Sequence, residues 1–179
     1  MDKIISVKDK NFRVSISAEE LQKNVKRVAD EINRDYAGRE VTFVSILNGA
    51  FMFASDLLKN ITLDCQISFV KLSSYAGTSS TGEVKQLIGL NSDIAGRDIV
   101  IVEDIIETGL TIETARKMLS DQGAKSVRIA SLIFKPESFK GNYSVDYVGF
   151  RLPKSFIVGY GLDYDGYGRN LPEIYTIVE

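Results

Sequence analysis

The stretch IVIVEDIIETGLT, Ile99 to Thr111, decides the reading of this chain. Ile99–Val102 is a short apolar run with β-branched residues throughout, which predicts a buried strand. Two acids follow, Glu103 and Asp104, and Thr108-Gly109 then opens a predicted helix with Ile112, Ala115 and Leu119 on one face and a stop near Gly123. Ser126–Phe134 supplies a further buried strand. In open parallel sheets, ligands bind outside the carboxyl ends of the strands. The acids stand at such an end, and the Glu107-Thr108-Gly109-Leu110-Thr111 turn feeds a helix N-terminus. Free amides there, with two hydroxyls and a glycine that permits close approach, suit a phosphate. Carboxylates beside a phosphate repel it unless they hold hydroxyls or a cation, so the combination suits a sugar phosphate. A capped helix start with solvated acids has the same local pattern.

Working outward, Ser17-Ala18-Glu19-Glu20 has the spacing of a capping box, and Leu21, Val25, Val28 and Ile32 repeat at helical spacing as far as Gly38. Val41–Leu47 reads as a buried strand, Asn48-Gly49 as a turn and Ala50–Leu58 as a helix. A strand around Ile67–Leu72 and a second at Val84–Leu90 flank the small, polar loop Ser73–Gly82, either a mobile segment or an ordinary hairpin tip. Strands alternating with helices predict an α/β fold, a mainly parallel twisted sheet flanked by helices on both faces. Beyond Lys135 the pattern shortens to Tyr147–Phe150, Phe156–Tyr160 and an aromatic, glycine-rich tail. One domain over residues 1–179, with a small lobe formed largely by about 136–179, is the expected organisation.

Composition narrows the chemistry. The chain has 179 residues, a net charge of −2, no histidine and one cysteine. Imidazole-dependent triads and imidazole zinc sites are thereby excluded within one chain, leaving acid–base work to carboxylates, lysine, tyrosine or water. Cys65, in LDCQISFV, is expected to be a buried strand thiol in a reducing compartment. Neither a signal-peptide apolar region nor a membrane-length run is evident, so a cytoplasmic location without a membrane partner is expected. Scattered basic residues in a slightly acidic chain predict no nucleic-acid partner. Gly159-Tyr160-Gly161 begins a dinucleotide fingerprint but has Tyr164 in the third glycine's place, and no P-loop occurs. Asp163-Tyr164-Asp165-Gly166 lacks the spacing of a calcium loop.

Taken with its neighbours, IVIVEDIIETGLT resembles the signature of type I phosphoribosyltransferases, which use phosphoribosyl pyrophosphate (PRPP) on an α/β core with a smaller hood. Further segments resemble the hypoxanthine-guanine branch of that family. They are Leu47-Asn48-Gly49-Ala50, Ser73-Ser74-Tyr75, Lys135-Pro136, the run from Phe156 to Tyr164, and Arg169-Asn170-Leu171-Pro172. The resemblance implies that Glu103 and Asp104 hold the ribose hydroxyls and that Glu107, Thr108, Gly109, Leu110 and Thr111 bind the 5′-phosphate. It places Asn48, Gly49, Lys71, Ser74, Tyr75 and Arg169 around pyrophosphate. Phe156 would stack on a purine whose Watson–Crick edge is read by the Ile157 backbone, with Lys135 donating to the 6-oxo group. Glu107 would act as the catalytic carboxylate at N7, and magnesium would sit near Glu103, Asp104 and Asp163. PRPP, a 6-oxopurine and self-association as a dimer or tetramer are the implied partnerships.

Individually, Phe156 could be a core aromatic, Lys71, Lys135 and Arg169 surface charges, and Asp163 a turn residue. Two departures stand out: the family usually has aspartate at Glu107, and often an arginine shortly after the lysine, where this chain reads Glu137-Ser138-Phe139-Lys140. A xanthine-preferring enzyme and a non-catalytic PRPP-sensing regulator are the competing readings.

Overall fold

The structure is a computed structural model, and it describes residues 4–74, 84–90 and 93–178. In chain order its elements are β1 (Ile4–Val7), β2 (Lys10–Ile16), α1 (Ala18–Asp35), β3 (Val41–Leu47), α2 (Phe51–Lys59), β4 (Cys65–Ser74) and β5 (Val84–Ile88). There follow β6 (Asp98–Ile106), α3 (Leu110–Asp121), β7 (Ser126–Phe134), a single 3-10 turn at Pro136–Ser138, β8 (Tyr147–Arg151), β9 (Ile157–Val158) and β10 (Ile174–Ile177).

The main sheet runs β5-β4-β3-β6-β7-β8. Its last five strands in that order are parallel, while β5 returns antiparallel to β4. One face packs against α1 and α2 through Leu21, Val25, Val28, Ile32, Phe53 and Leu57; the other packs against α3 through Ile112, Ala115 and Leu119. The expected doubly covered parallel sheet is therefore present. The capping box starts α1 as expected: Ser17 N–H donates to Glu20 Oε2 at 3.1 Å and Glu20 N–H donates to Ser17 Oγ at 3.3 Å. Each fully buried apolar side chain on its inner stripe stabilises the fold by about 1.5–3 kcal/mol.

A smaller antiparallel sheet, β1-β2-β10-β9, lies apart from the first. It changes the assignment of the small lobe to about 136–179, because residues 4–16 contribute two of its strands and β8 belongs to the main sheet. Phe12 on β2 is fully buried and packs with Val158 and Tyr175, so the N-terminal hairpin and the C-terminal strand share one small core. Cys65 also corrects its expectation: it opens β4 and is exposed. Ile67 and Phe69, alternate residues along the same strand, are exposed too. No helix among the described residues is long and apolar enough to cross a membrane.

Candidate active site

The acid pair sits inside β6, not beyond its end. The ladder to β7 continues from Glu103↔Ser131 to Ile105↔Ile133 and Ile106↔Phe134, so the strand is longer than its apolar run suggested. Both carboxylates turn back onto the chain, Glu103 Oε1 accepting from Asp104 N–H at 3.1 Å and Asp104 Oδ1 from Ile105 N–H at 2.8 Å. Burial pushes the Glu103 carboxyl well above its usual range, and the adjacent Asp104 charge adds to the rise. Burial also raises Asp104, against opposing contributions from Glu103, backbone amides and Arg169.

Three chain segments meet at the Asn48-Gly49 turn. Gly49 follows β3 and a cis Leu47–Asn48 peptide, and a Cβ at Gly49 would lie 1.6 Å from Asp104 Oδ2. The carboxylate thus occupies the space that any side chain at 49 would need. From the C-terminal lobe, Gly161 (φ +99°) reaches the same turn, where a Cβ would lie 2.1 Å from Gly49 O. Arg169 ties this lobe together, donating to Gly161 O at 2.7 Å and pairing with Asp163 at 2.8 Å. Tyr160, between the two close-packed glycines, donates its hydroxyl to Asp56 Oδ2 on α2 at 2.6 Å. Burial drives the Tyr160 hydroxyl strongly upward, so it remains a donor.

The turn after β6 surrounds a cleft of about 220 Å³ lined by Glu103 and residues 105–112. Gly109 has φ +87° and caps α3 without a side-chain hydrogen bond. Among the described residues, the amides of Gly109, Thr111 and Ile112 have no hydrogen-bond acceptor, so they are available to an anion.

Behind Glu107, which lines this cleft, Lys135 is 3% exposed, with its ammonium directly on the Glu107 carboxylate and donating to Ser155 O at 2.6 Å. Its backbone N–H donates to Ile106 O at 2.9 Å, which fixes the residue at the end of β7 beside β6. A buried ammonium paired in this way is no surface charge. Phe156 is likewise no core aromatic: it is 43% exposed, lies edge-on to Tyr164 at 5.6 Å and is backed by Phe12 at 6.1 Å. Ile157, next to it, is buried on β9. The result is an exposed ring on an aromatic base.

Lys71, half-buried, lies opposite Leu47 in the β3–β4 ladder, next to the Asn48-Gly49 turn. Ser74 ends β4, whereas Tyr75 and most of the Ser73–Gly82 loop lie outside the described residues. Among the described residues no three His, Cys, Asp or Glu side chains gather to hold a metal ion, so Glu103-Asp104 and Asp163 form two separate donor groups. Sequence reasoning missed Ser155 and Tyr143, and gave Tyr160 and Gly161 no role of their own within the run from Phe156 to Tyr164. The Gly159-Tyr160-Gly161 spacing was visible, but its glycines serve close backbone approach and not dinucleotide binding.

A phosphoribosyl transferase domain matches residues 17–165, most of the chain, including the acid pair, the turn from Glu107 to Thr111 and Lys135. The chain belongs to the phosphoribosyltransferase family. Hypoxanthine-guanine phosphoribosyltransferase of Staphylococcus aureus is 41% identical over 165 residues, covering 92% of each chain. A crystal structure of a hypoxanthine phosphoribosyltransferase from Staphylococcus aureus superposes with TM-score 0.88 at 40% identity, covering 92% of this chain and 90% of that one. One of a hypoxanthine-guanine phosphoribosyltransferase from Bacillus anthracis gives TM-score 0.86 at 39% identity, covering 93% and 96%. The type I phosphoribosyltransferase fold inferred from spaced motifs is thereby established for this chain.

Proposed function

We propose that this phosphoribosyltransferase is a purine-salvage enzyme that transfers the 5-phosphoribosyl group of PRPP to N9 of hypoxanthine and guanine, giving IMP or GMP and pyrophosphate. The observation that carries the choice of base is the Lys135–Glu107 contact at the rim of the phosphate cleft. A 6-oxopurine presents O6 and N7 side by side on one edge. An ammonium and a carboxylate held side by side match that edge when N7 is protonated, Lys135 donating to O6 and Glu107 accepting from N7–H. Each then exchanges its contact with the other for one with the base, so no buried polar group is left unpaired. Adenine places an amino donor opposite Lys135 and is disfavoured for that reason.

Around the base, Phe156 offers its exposed face for stacking and the Ile157 backbone reads the Watson–Crick edge. Glu103 and Asp104 accept from the ribose hydroxyls, and Glu107 through Thr111 cradle the 5′-phosphate. Asn48 and Gly49 amides, Lys71, Ser74 and Arg169 would surround pyrophosphate, with Tyr75, outside the described residues, assigned there by the resemblance alone. The donor chemistry also fits magnesium, a hard cation bound through one or two carboxylates together with substrate phosphates. Glu103 and Asp104, a buried acid pair whose charges oppose each other, would hold it at one donor group, and Asp163 would serve at the other. When bound, it neutralises charge on the leaving pyrophosphate.

As the anomeric bond breaks, the ribose gains cationic character and pyrophosphate gains negative charge. Lys71 and Arg169 stabilise that charge, a preorganised electrostatic contribution. Glu107 takes up the N7 proton and so raises electron density at N9. Self-association as a dimer or tetramer fits the exposed Ile67 and Phe69 on β4, and a cytoplasmic location fits salvage chemistry.

The test is a panel of hypoxanthine, guanine, xanthine and adenine with PRPP and magnesium, scored by nucleotide formed. Nucleotide from hypoxanthine and guanine, with little from adenine, is expected. Xanthine as the preferred base would overturn the substrate assignment. PRPP binding without nucleotide from any base would make the protein a sensor instead of an enzyme.

A further inference from the structure

Behind the phosphate turn, on the side away from the cleft, lies the segment that follows Lys135. Lys140 N–H donates to Thr108 O at 3.1 Å, and the Tyr143 hydroxyl donates to Gly109 O at 2.6 Å. The Gly109 carbonyl also accepts from Glu113 N–H at 3.0 Å, so both lone pairs are engaged. A Cβ at Gly109 would lie 2.5 Å from the Phe139 ring and 2.6 Å from the Tyr143 hydroxyl, so the two aromatics occupy the place of the missing side chain. Phe139 meets Tyr143 edge-on at 5.1 Å and Phe134 edge-on at 5.1 Å. The Arg116 guanidinium, from α3, covers the Tyr143 ring at 4.7 Å. Gly141 lets the segment close this tightly, because a Cβ there would lie 2.5 Å from Phe139 and 2.6 Å from Tyr143.

The geometry points to Tyr143, braced by Phe139, as a positioning residue for the 5′-phosphate, acting through the Gly109 carbonyl. The inference rests on the proposed PRPP reaction and goes beyond it by naming what orients the phosphate turn. A peptide plane is rigid, so fixing the Gly109 carbonyl fixes the Leu110 N–H, which donates to Thr108 Oγ1 at 3.5 Å, and with it the start of α3, where the Thr111 and Ile112 amides are available to an anion. Glycine at φ +87° has the widest conformational freedom of any residue, and external bonds are needed to hold one setting. Burial pushes the Tyr143 hydroxyl up to about 12, so it donates throughout the neutral range. The turn is thus braced by ring packing of Phe139 and Tyr143.

Tyr143→Phe removes the hydroxyl and keeps the ring contacts. Binding to the full-length protein is measured for IMP, for ribose 5-phosphate and for inorganic pyrophosphate, with kinetics alongside. Affinity for IMP and ribose 5-phosphate is expected to fall about tenfold, the effect of one well-placed buried hydrogen bond. Pyrophosphate affinity should stay within about twofold, and KM for PRPP should rise more than kcat falls. Phe139→Leu, which leaves the hydroxyl but loosens its brace, should give a smaller loss confined to the same two ligands. Equal losses for all three ligands, or no loss for any, in both variants would overturn the positioning role. Wild-type protein that bound neither IMP nor ribose 5-phosphate would overturn the functional reading and this inference with it. Normal wild-type binding without the selective loss would overturn this inference alone.

Discussion

Replacing Gly161 with alanine drives a methyl group into the backbone of the Asn48-Gly49 turn. The new Cβ would lie 2.1 Å from Gly49 O, and ordinary contact begins at 3.4 Å. The lobe and the turn must therefore separate by about 1 Å, and a shift of that size in a positioning element costs about 100-fold in rate. Gly49 cannot retreat freely, because Asp104 Oδ2 already fills the space beside its Cα. The substitution also places a side chain at φ +99°, a strain of about 1–2 kcal/mol. Gly166 separates the two effects: its φ is +84° and nothing lies within 4 Å of its Cβ position. Gly166→Ala should show the part of the stability loss due to backbone strain alone and spare activity. The assay is kcat/KM for PRPP at saturating hypoxanthine, with urea unfolding of all three proteins. Gly161→Ala should lose about 100-fold and Gly166→Ala less than about twofold. Equal kcat/KM in the two variants would refute the claim that Gly161 sets the spacing of lobe and turn.

Glu107→Gln should slow turnover about 100-fold while leaving KM for PRPP nearly unchanged, the mark of a lost proton acceptor; unaltered single-turnover rates would remove Glu107 from the chemistry. Lys135→Ala should lower kcat/KM for hypoxanthine about 100-fold and narrow its advantage over adenine, because the charged donor to O6 is gone; an undiminished advantage would show that discrimination lies elsewhere. Asp98 begins β6 as a buried carboxylate held below its usual range by the Ser126 hydroxyl at 2.6 Å, with Lys125 and Arg39 adding to the effect against burial. A depressed native value means that this stability is present above the unfolded pKa and is lost as pH falls through the native one. Asp98→Asn should therefore cost about 1.5–3 kcal/mol near neutrality and nothing in strong acid, read from urea midpoints across pH; a cost independent of pH would place the effect in packing and not in charge.

Much of the scaffold was legible because it rests on local periodicity. Ser17 and Glu20, three residues apart, close their box within one turn, and Leu21, Val25, Val28 and Ile32 line one helical face whatever lies opposite. Ser126–Phe134 is an uninterrupted strand in sequence and in structure alike, since a strand covered on both faces needs no alternation. The turn from Glu107 to Thr111 was legible as a helix start too, because a glycine and hydroxyls between an apolar run and a helical stripe mark one from local pattern alone. The extent of β6 was less so. Charged residues interrupt its apolar run, and the ladder that carries the strand past Glu103 belongs to β7 as much as to β6.

What depended on tertiary structure is every feature that joins distant residues. Nothing local reveals that Lys135 and Glu107, 28 positions apart, touch, one buried and the other half exposed. The burial of Lys135, the exposure of Phe156 and Cys65, and the share of residues 4–16 in the small lobe were all settled by which surfaces the fold covers. Gly49, Asp104 and Gly161 likewise acquire their meaning only where the Gly49 and Gly161 backbones and the Asp104 carboxylate approach within a side chain's width. The sequence by itself determined the elements and the chemical groups available, because short-range sterics and hydrophobic spacing are written residue by residue. Tertiary structure alone decided which groups face one another, because contact, desolvation and excluded volume are properties of the closed chain.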